Sequence, residues 1–266
     1  MSHSTASSCP NRTCVVLQPG YLPWLGFFEQ MDRADEFVLL DDVQFDKHGW
    51  RNRNRIKGPN GVQWLTVPVK VKGHGQPAIR DVGIDSTQAW TRKHLQSLRT
   101  CYGSSPFFDW LYPPLEALLS QPWTFLVDLD VALIDLLRET LGVRSNVSQS
   151  SELSIDSGRC ERLLAMCQAL DCKVYYSGAA ARSYLDVELF ARAGIRVEFQ
   201  DYAHPTYPQR FGPFVPQLSV IDLMFNAGPE SLGVIRQGAR STRAATPATQ
   251  CVCEEPLSAS AQTVAG

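Results

Sequence analysis

The chain has 266 residues, 44% hydrophobic and 20% charged, enough to bury one large core or two modest ones and too apolar for a disordered protein. Its 25 Lys and Arg face 27 Asp and Glu, a formal net charge of −2, so any basic site is local and not a habit of composition. No apolar run reaches bilayer length, and Met1 to Ser8 lacks the basic start and apolar centre of a secretory signal, so no membrane partner and a cytoplasmic location are expected.

Residues 1–12 and 236–266 read as disordered tails, the second rich in Ala, Ser, Thr and Pro without apolar periodicity. Between them, 13–235 reads as one domain without repeats. Cys14-Val15-Val16-Leu17-Gln18 is a short apolar strand closed by Pro19-Gly20. Trp24 to Ala34 carries Leu25, Phe28 and Met31 at helical spacing, and Glu36 to Leu40 is an apolar run without alternation, as in a strand covered on both faces. Trp64 to Lys70 reads as a third strand, with Pro68 placing it at an edge or an end.

From about 88 to 141 the pattern is helical: Trp90, His94, Leu95 and Leu98 share a face, a second helix spans Phe107 to Leu119, and Thr124 to Leu141 makes a third that stops at Gly142. Val147 to Leu153 reads as a short strand and Arg159 to Leu170 as an amphipathic helix. Lys173 to Tyr176 is a strand leading into Ser177-Gly178, Val187 to Ala193 a helix, and Ile195 to Phe199 a strand. Strands alternating with helices at both ends of the chain predict a three-layer, mostly parallel, Rossmann-like α/β fold with a helical insertion at about 88–141.

Eight scattered cysteines offer no zinc spacing: Cys251-x-Cys253 is too tight, and Cys160 and Cys167 are two helical turns apart, as core residues would be. No structural metal is expected, and the residues leave the cofactor unidentified. Mg2+ held by one carboxylate and donor phosphates is chemically possible, but no residue demands it.

In open α/β sheets ligands sit beyond the carboxyl ends of the strands. The loops there are Gln18 to Trp24, Asp41 to Gln44 with the segment behind it, Ser177 to Asp186, and Tyr202 to Gln209. That segment, Lys47 to Lys57, holds five permanent cations, His48 and two asparagines within eleven residues. If extended, it turns Arg51, Arg53 and Arg55 to one face and Asn52 and Asn54 to the other. Three guanidiniums side by side suit a phosphate or carboxylate; the alternative is a solvated edge strand whose charges block aggregation. The expected partner is an anionic small molecule, phosphorylated or nucleotide-linked. The arginine stripe with Trp50 and Trp64 also admits a tRNA donor.

The foremost candidate bases are His48, inside the cationic segment, His204, between tyrosines and prolines, and Asp41, at a strand end, with His94 on its helix also considered; each has an alternative structural role. Candidate binding groups are Gln18, Tyr21, Gln44, Arg51, Asn52, Arg53, Asn54, Arg55, Ser177, Gly178, Tyr184, Asp186, Tyr207 and Gln209. The arginines and the tyrosine-histidine loop are expected to line one shared concavity.

Gln18-Pro19-x-Tyr21-Leu22-Pro23-Trp24-Leu25-Gly26, Leu40-Asp41-Asp42-Val43-Gln44-Phe45, Asn52-Arg53-Asn54-Arg55-Ile56 and Trp64-Leu65-Thr66-Val67-Pro68-Val69 together resemble the WbqC-like proteins. Lys93-His94, Ser177-Gly178, Tyr184-Leu185-Asp186 and Ser219 to Asn226 continue the likeness in order, over residues 14 to about 230. The resemblance implies a role near surface-polysaccharide or O-antigen synthesis and a transferase attaching glycine, or another amino-acid or acyl unit, to an amine such as an aminosugar. It also implies a histidine just before the Gln-Pro pair, where this chain has Leu17. Such chemistry needs an activated carbonyl, from an acyl-adenylate, a thioester or an aminoacyl-tRNA, and a base for the amine proton. A nucleotide-dependent ligase resembling the nucleotidylyltransferases is a second possibility, but their H-x-G-H signature is missing from residues 19–28. A non-catalytic binding protein is a third.

Overall fold

The computed structural model describes residues 11–70 and 77–240. In chain order it has β1 (Thr13–Leu17), α1 (Leu25–Arg33), β2 (Glu36–Leu39), β3 (Arg53–Gly58), β4 (Gly61–Thr66), β5 (Val69–Lys70), β6 (Gly83–Ile84), α2 (Trp90–Tyr102), α3 (Phe108–Leu119), α4 (Leu126–Leu141), β7 (Asn146–Gln149) and α5 (Ser150–Leu153). There follow α6 (Arg159–Ala169), β8 (Val174–Ser177), α7 (Val187–Arg192), β9 (Arg196–Phe199), α8 (Val220–Ala227) and α9 (Ser231–Gln237).

β7, β2, β1, β8 and β9 lie side by side in that order, every neighbouring pair parallel. The chain steps outward from β1 to β2 and β7, then returns to lay β8 against the other edge of β1. The reversal between β1 and β8 opens a crevice at their carboxyl ends, where doubly wound sheets bind ligands. The inner strands β2, β1 and β8 read as continuous apolar runs because both sheet faces are covered there, whereas the edge strands β7 and β9 keep polar and exposed positions. Val15, Phe37, Leu39 and Tyr176 enter one core with residues of α1 to α4, α8 and α9, while Cys14, Val16, Val38, Tyr175, Val197 and Phe199 enter a second core with residues of α6 and α7. The fold is therefore the expected three-layer α/β arrangement.

The connection from β2 to β7 contains the three helices expected from the sequence. The last of them, α4, ends at Gly142, whose φ of +81° is the left-handed backbone that glycine adopts without a Cβ penalty. The connection also contains two elements of a different kind. β3 and β4 form an antiparallel hairpin, and β5 pairs with β6, so Trp64 to Lys70 is split and none of it joins the parallel sheet. The stretch read as a strand from Val147 to Leu153 turns helical at Ser150, where the Gln149 side chain and Glu152 form a capping box. α8 lies in the Ser219 motif; Ser219 caps it by accepting the Ile221 N–H. Residues assigned to the second tail begin with the end of α9, and the Arg240 N–H donates to Asp201. The remainder of that stretch, like residues 1–10, lies outside the described residues. Among those described, no helix is long and apolar enough to cross a membrane.

Candidate functional site

A cavity of about 1070 Å³ occupies the crevice between β1 and β8. The strand ends supply Gln18 and Gly20 on one side and Ser177 and Gly178 on the other. The start of α6 adds Ser157, Arg159 and Arg162, and the basic segment adds Trp50, Arg51 and Asn54. Trp24, Phe27, Tyr175 and Tyr184 give aromatic surface, with Gln30, Gln44 and Gln217 among the polar walls.

Backbone contacts hold these walls in register. The Tyr21 N–H donates to Arg51 O at 2.9 Å, and the Arg51 guanidinium donates to Pro19 O at 2.9 Å. A Cβ at position 20 would stand 2.9 Å from Trp50 O, so only glycine permits this approach without a shift. Leu22 is fully buried with φ +46°, a strained conformation for a leucine. Asn54 donates to Leu22 O at 2.6 Å and to Tyr21 O at 3.3 Å, clamping that turn.

Three guanidiniums face the cavity, with different neighbours. Arg162 is ion-paired to Asp42, which also accepts from Ser150 Oγ at 2.6 Å. Arg159 lies over the Tyr184 ring at 4.1 Å and forms no ion pair among the described residues. Arg51 is partly buried; desolvation lowers its pKa, opposed by Asp130 and Asp46. Asp130, on α4, is fully buried with neither oxygen hydrogen-bonded, and burial pushes its carboxyl well up despite the opposing charge of Arg51. Beside the cavity, Gln30 donates to Gln200, whose amide donates to buried Glu29 at 2.6 Å. Burial raises the Glu29 pKa, while hydrogen bonds from Gln200 and Tyr176 and the charge of Arg33 partly offset it.

Of the residues singled out in the sequence, the fold brings Gln18, Gln44, Arg51, Asn54, Ser177, Gly178 and Tyr184 to this cavity. The others lie elsewhere. Arg53 and Arg55 point from the outer face of the β3/β4 hairpin, and Asn52 is turned inward, donating to Val67 O. Tyr21 is buried against His94, its hydroxyl 2.8 Å from Nδ1. A backbone hydrogen bond to Thr66 engages the same imidazole, and burial pushes its pKa down to about 4. Asp186 caps α7 by accepting the Leu189 N–H.

The three candidate bases are also off the cavity wall. His48 is exposed. His204 is stacked behind Trp24, ring centroids 6.3 Å apart, and burial lowers its pKa. Asp41 is fully buried, accepting from Gln149 Nε2, Ser150 Oγ, and Ser151 N and Oγ. Tyr207 donates to Asp222 at 2.9 Å, and Gln209 bonds Val215, Tyr207 and Lys57, so this loop is fastened to β3 and α8. The arginines and the tyrosine-histidine loop therefore do not share one concavity. Sequence reasoning missed Arg159, Arg162, Trp24 and Gln30. The first two had a readable signal: Arg159 and Arg162, three apart, put two cations into the first turn of a helix, where the backbone dipole disfavours them unless an anion is near. Among the described residues, no group of three or more His, Cys, Asp or Glu is gathered as a metal site.

The WbqC-like protein family profile matches residues 18–234. An uncharacterized protein of Mycobacterium tuberculosis, Rv1507c, is 38% identical over 227 residues, spanning 84% of this chain and 96% of its own. No solved structure matches.

Proposed function

This chain belongs to the WbqC-like protein family, and from that premise we propose that it is a transferase whose crevice between β1 and β8 seats an anionic, phosphorylated or nucleotide-linked small molecule. The reaction joins an amino-acid or acyl unit to an amine, such as that of an aminosugar. The observation that carries the binding half is the set of Arg51, Arg159 and Arg162 around the strand ends where the sheet order reverses. Guanidiniums bind phosphate oxygens in pairs of parallel hydrogen bonds, and two of the three stand at the start of α6, the end of a helix where the backbone dipole favours an anion. Trp24, Trp50 and Tyr184 supply flat surfaces for a base or a sugar ring. The volume suits a ligand larger than a single phosphate. The transfer half, with glycine as the unit carried and a surface polysaccharide as destination, rests on the family resemblance.

Calorimetric titration of the full chain with nucleotide-linked aminosugars tests the binding half. Arg159→Gln, at an exposed position, should weaken binding about tenfold or more, the worth of one charge-assisted hydrogen bond or two. Equal affinity in a folded Arg159→Gln protein would refute it. Mass spectrometry of mixtures with an aminosugar acceptor and either glycine plus ATP or glycyl-tRNA tests the transfer half. One observation favours a non-catalytic binding protein instead: His48, His204 and Asp41 all lie off the cavity wall. Tight binding with no product from either donor would support that second reading.

A further inference from the structure

We propose that the outward face of the β3/β4 hairpin is a second binding site, for single-stranded nucleic acid. Antiparallel pairing sets Arg55 opposite Trp64 and Arg53 opposite Thr66. Alternation buries Ile56 and Leu65 and turns Arg53, Arg55, Val62 and Trp64 the other way. Trp50, just ahead of β3, joins them with its ring centroid 5.2 Å from that of Trp64 and the planes inclined by 34°. Trp50 is 43% exposed, Val62 42% and Trp64 49%. Each leaves in water apolar surface whose burial would stabilise the fold. A cluster of that kind on an otherwise well-packed chain marks a contact surface.

Its charge identifies the occupant. The Arg53 guanidinium lies 4.9 Å from the Trp64 ring, and that of Arg55 lies 5.4 Å from Trp50 and 5.8 Å from Trp64. Both are held by carbonyls, those of His48 and Gly49 for Arg53 and of Gln217 for Arg55. Neither meets a carboxylate among the described residues. Trp64 and Thr66 also edge a neighbouring cleft of about 740 Å³ lined by Arg92 and Lys93, with no acidic residue in its wall. Indoles beside unneutralised cations reproduce the two terms of single-strand binding, base stacking and phosphate attraction. A neutral oligosaccharide would use the indoles and leave the cations unsatisfied, and a duplex hides its base faces. Trp50 lines the cavity as well, so a strand laid on the hairpin ends at the cavity mouth. Reading that strand as the acceptor end of an aminoacyl-tRNA rests on the transferase assignment above; the nucleic-acid contact does not.

The test is fluorescence anisotropy of the full chain with a labelled ten-nucleotide single-stranded RNA, with indole quenching read in parallel. Saturable binding that weakens steeply with salt is expected, as is a loss of tenfold or more in Trp64→Ala and in Arg55→Ala with unchanged melting temperature. Arg192→Gln, exposed on α7 and lining neither cavity, should bind the RNA as the wild type does, and because the assay contains no nucleotide-linked sugar, failure of the cavity reading would leave this readout in place. No binding at low salt, wild-type affinity in a folded Trp64→Ala protein, an equal loss of RNA binding in Arg192→Gln, or displacement of the RNA by a neutral oligosaccharide would each overturn the assignment.

Discussion

Replacing Asp41 by asparagine separates a structural carboxylate from a catalytic one. The Asp41 Oδ1 accepts from Ser150 Oγ at 3.0 Å and Ser151 N at 3.0 Å, and Oδ2 from Gln149 Nε2 at 2.9 Å and Ser151 Oγ at 2.7 Å. Every partner is a donor. The serine hydroxyls can turn, but the Ser151 N–H cannot, and the Gln149 amide is held by its place in the capping box. In Asp41→Asn, whichever way the new amide points, its NH2 meets one of these fixed donors. With hydrogen bonds to a charged group worth about 1.5–3 kcal/mol each and partial compensation by the hydroxyls, the loss comes to about 2–4 kcal/mol. For a chain of this size that lowers Tm by roughly 4–12 °C. The pH dependence carries a second signature. Burial raises the Asp41 pKa, but hydrogen bonds from Ser151, Gln149 and Ser150 outweigh it and hold the carboxyl below its ordinary 3.8. A depressed carboxyl pKa contributes stability above the unfolded value, lost as pH falls through the folded one. The gap between wild type and Asp41→Asn should therefore be full at pH 7 and narrow below pH 3.8. Urea unfolding at pH 7, 5 and 3 measures it. A difference at pH 7 within about 0.5 kcal/mol, the range of an indifferent surface substitution, would refute the reasoning and return Asp41 to the catalytic candidates.

His94 should stay neutral until the solution is strongly acidic, because burial holds its pKa near 4 against an ordinary 6.5. The unfolded chain then binds the extra proton between those values, so this residue's contribution falls as pH drops from 6.5 toward 4, and NMR of the ring carbons should show no titration above pH 5. Tyr207→Phe removes the hydroxyl that donates to buried Asp222 and accepts from Gln209. It should cost about 1–3 kcal/mol in urea unfolding and leave nucleotide-sugar affinity unchanged; a large affinity loss would put Tyr207 back in the binding machinery.

The inner strands β1, β2 and β8 could be read directly because each is a short apolar run bounded by turn residues, and burial on both faces leaves no polar alternation to confuse it; the polar edge strand β7 had no such signal, and its end was misplaced. The same rule located Gln18, Ser177, Gly178 and Tyr184 near the cavity, since loops at strand carboxyl ends converge whatever their composition. α8 was harder: Val220, Ile221, Asp222, Leu223, Met224 and Phe225 are all buried, so eight residues carry no helical period. Strict alternation explained Arg53 and Arg55 but not Arg51, which precedes β3 and turns back to Pro19.

Local pattern therefore determined the layers, the sheet strands and the end of the molecule at which to look, because each depends on side chains a few residues apart. Tertiary structure alone decided which cations meet: Arg51 is joined in the cavity by Arg159 and Arg162, more than a hundred residues later, while Arg53 and Arg55 stay outside. That choice follows from the reversal of strand order, which lays β8 beside β1. No short-range regularity in a sequence encodes which distant segments will be neighbours.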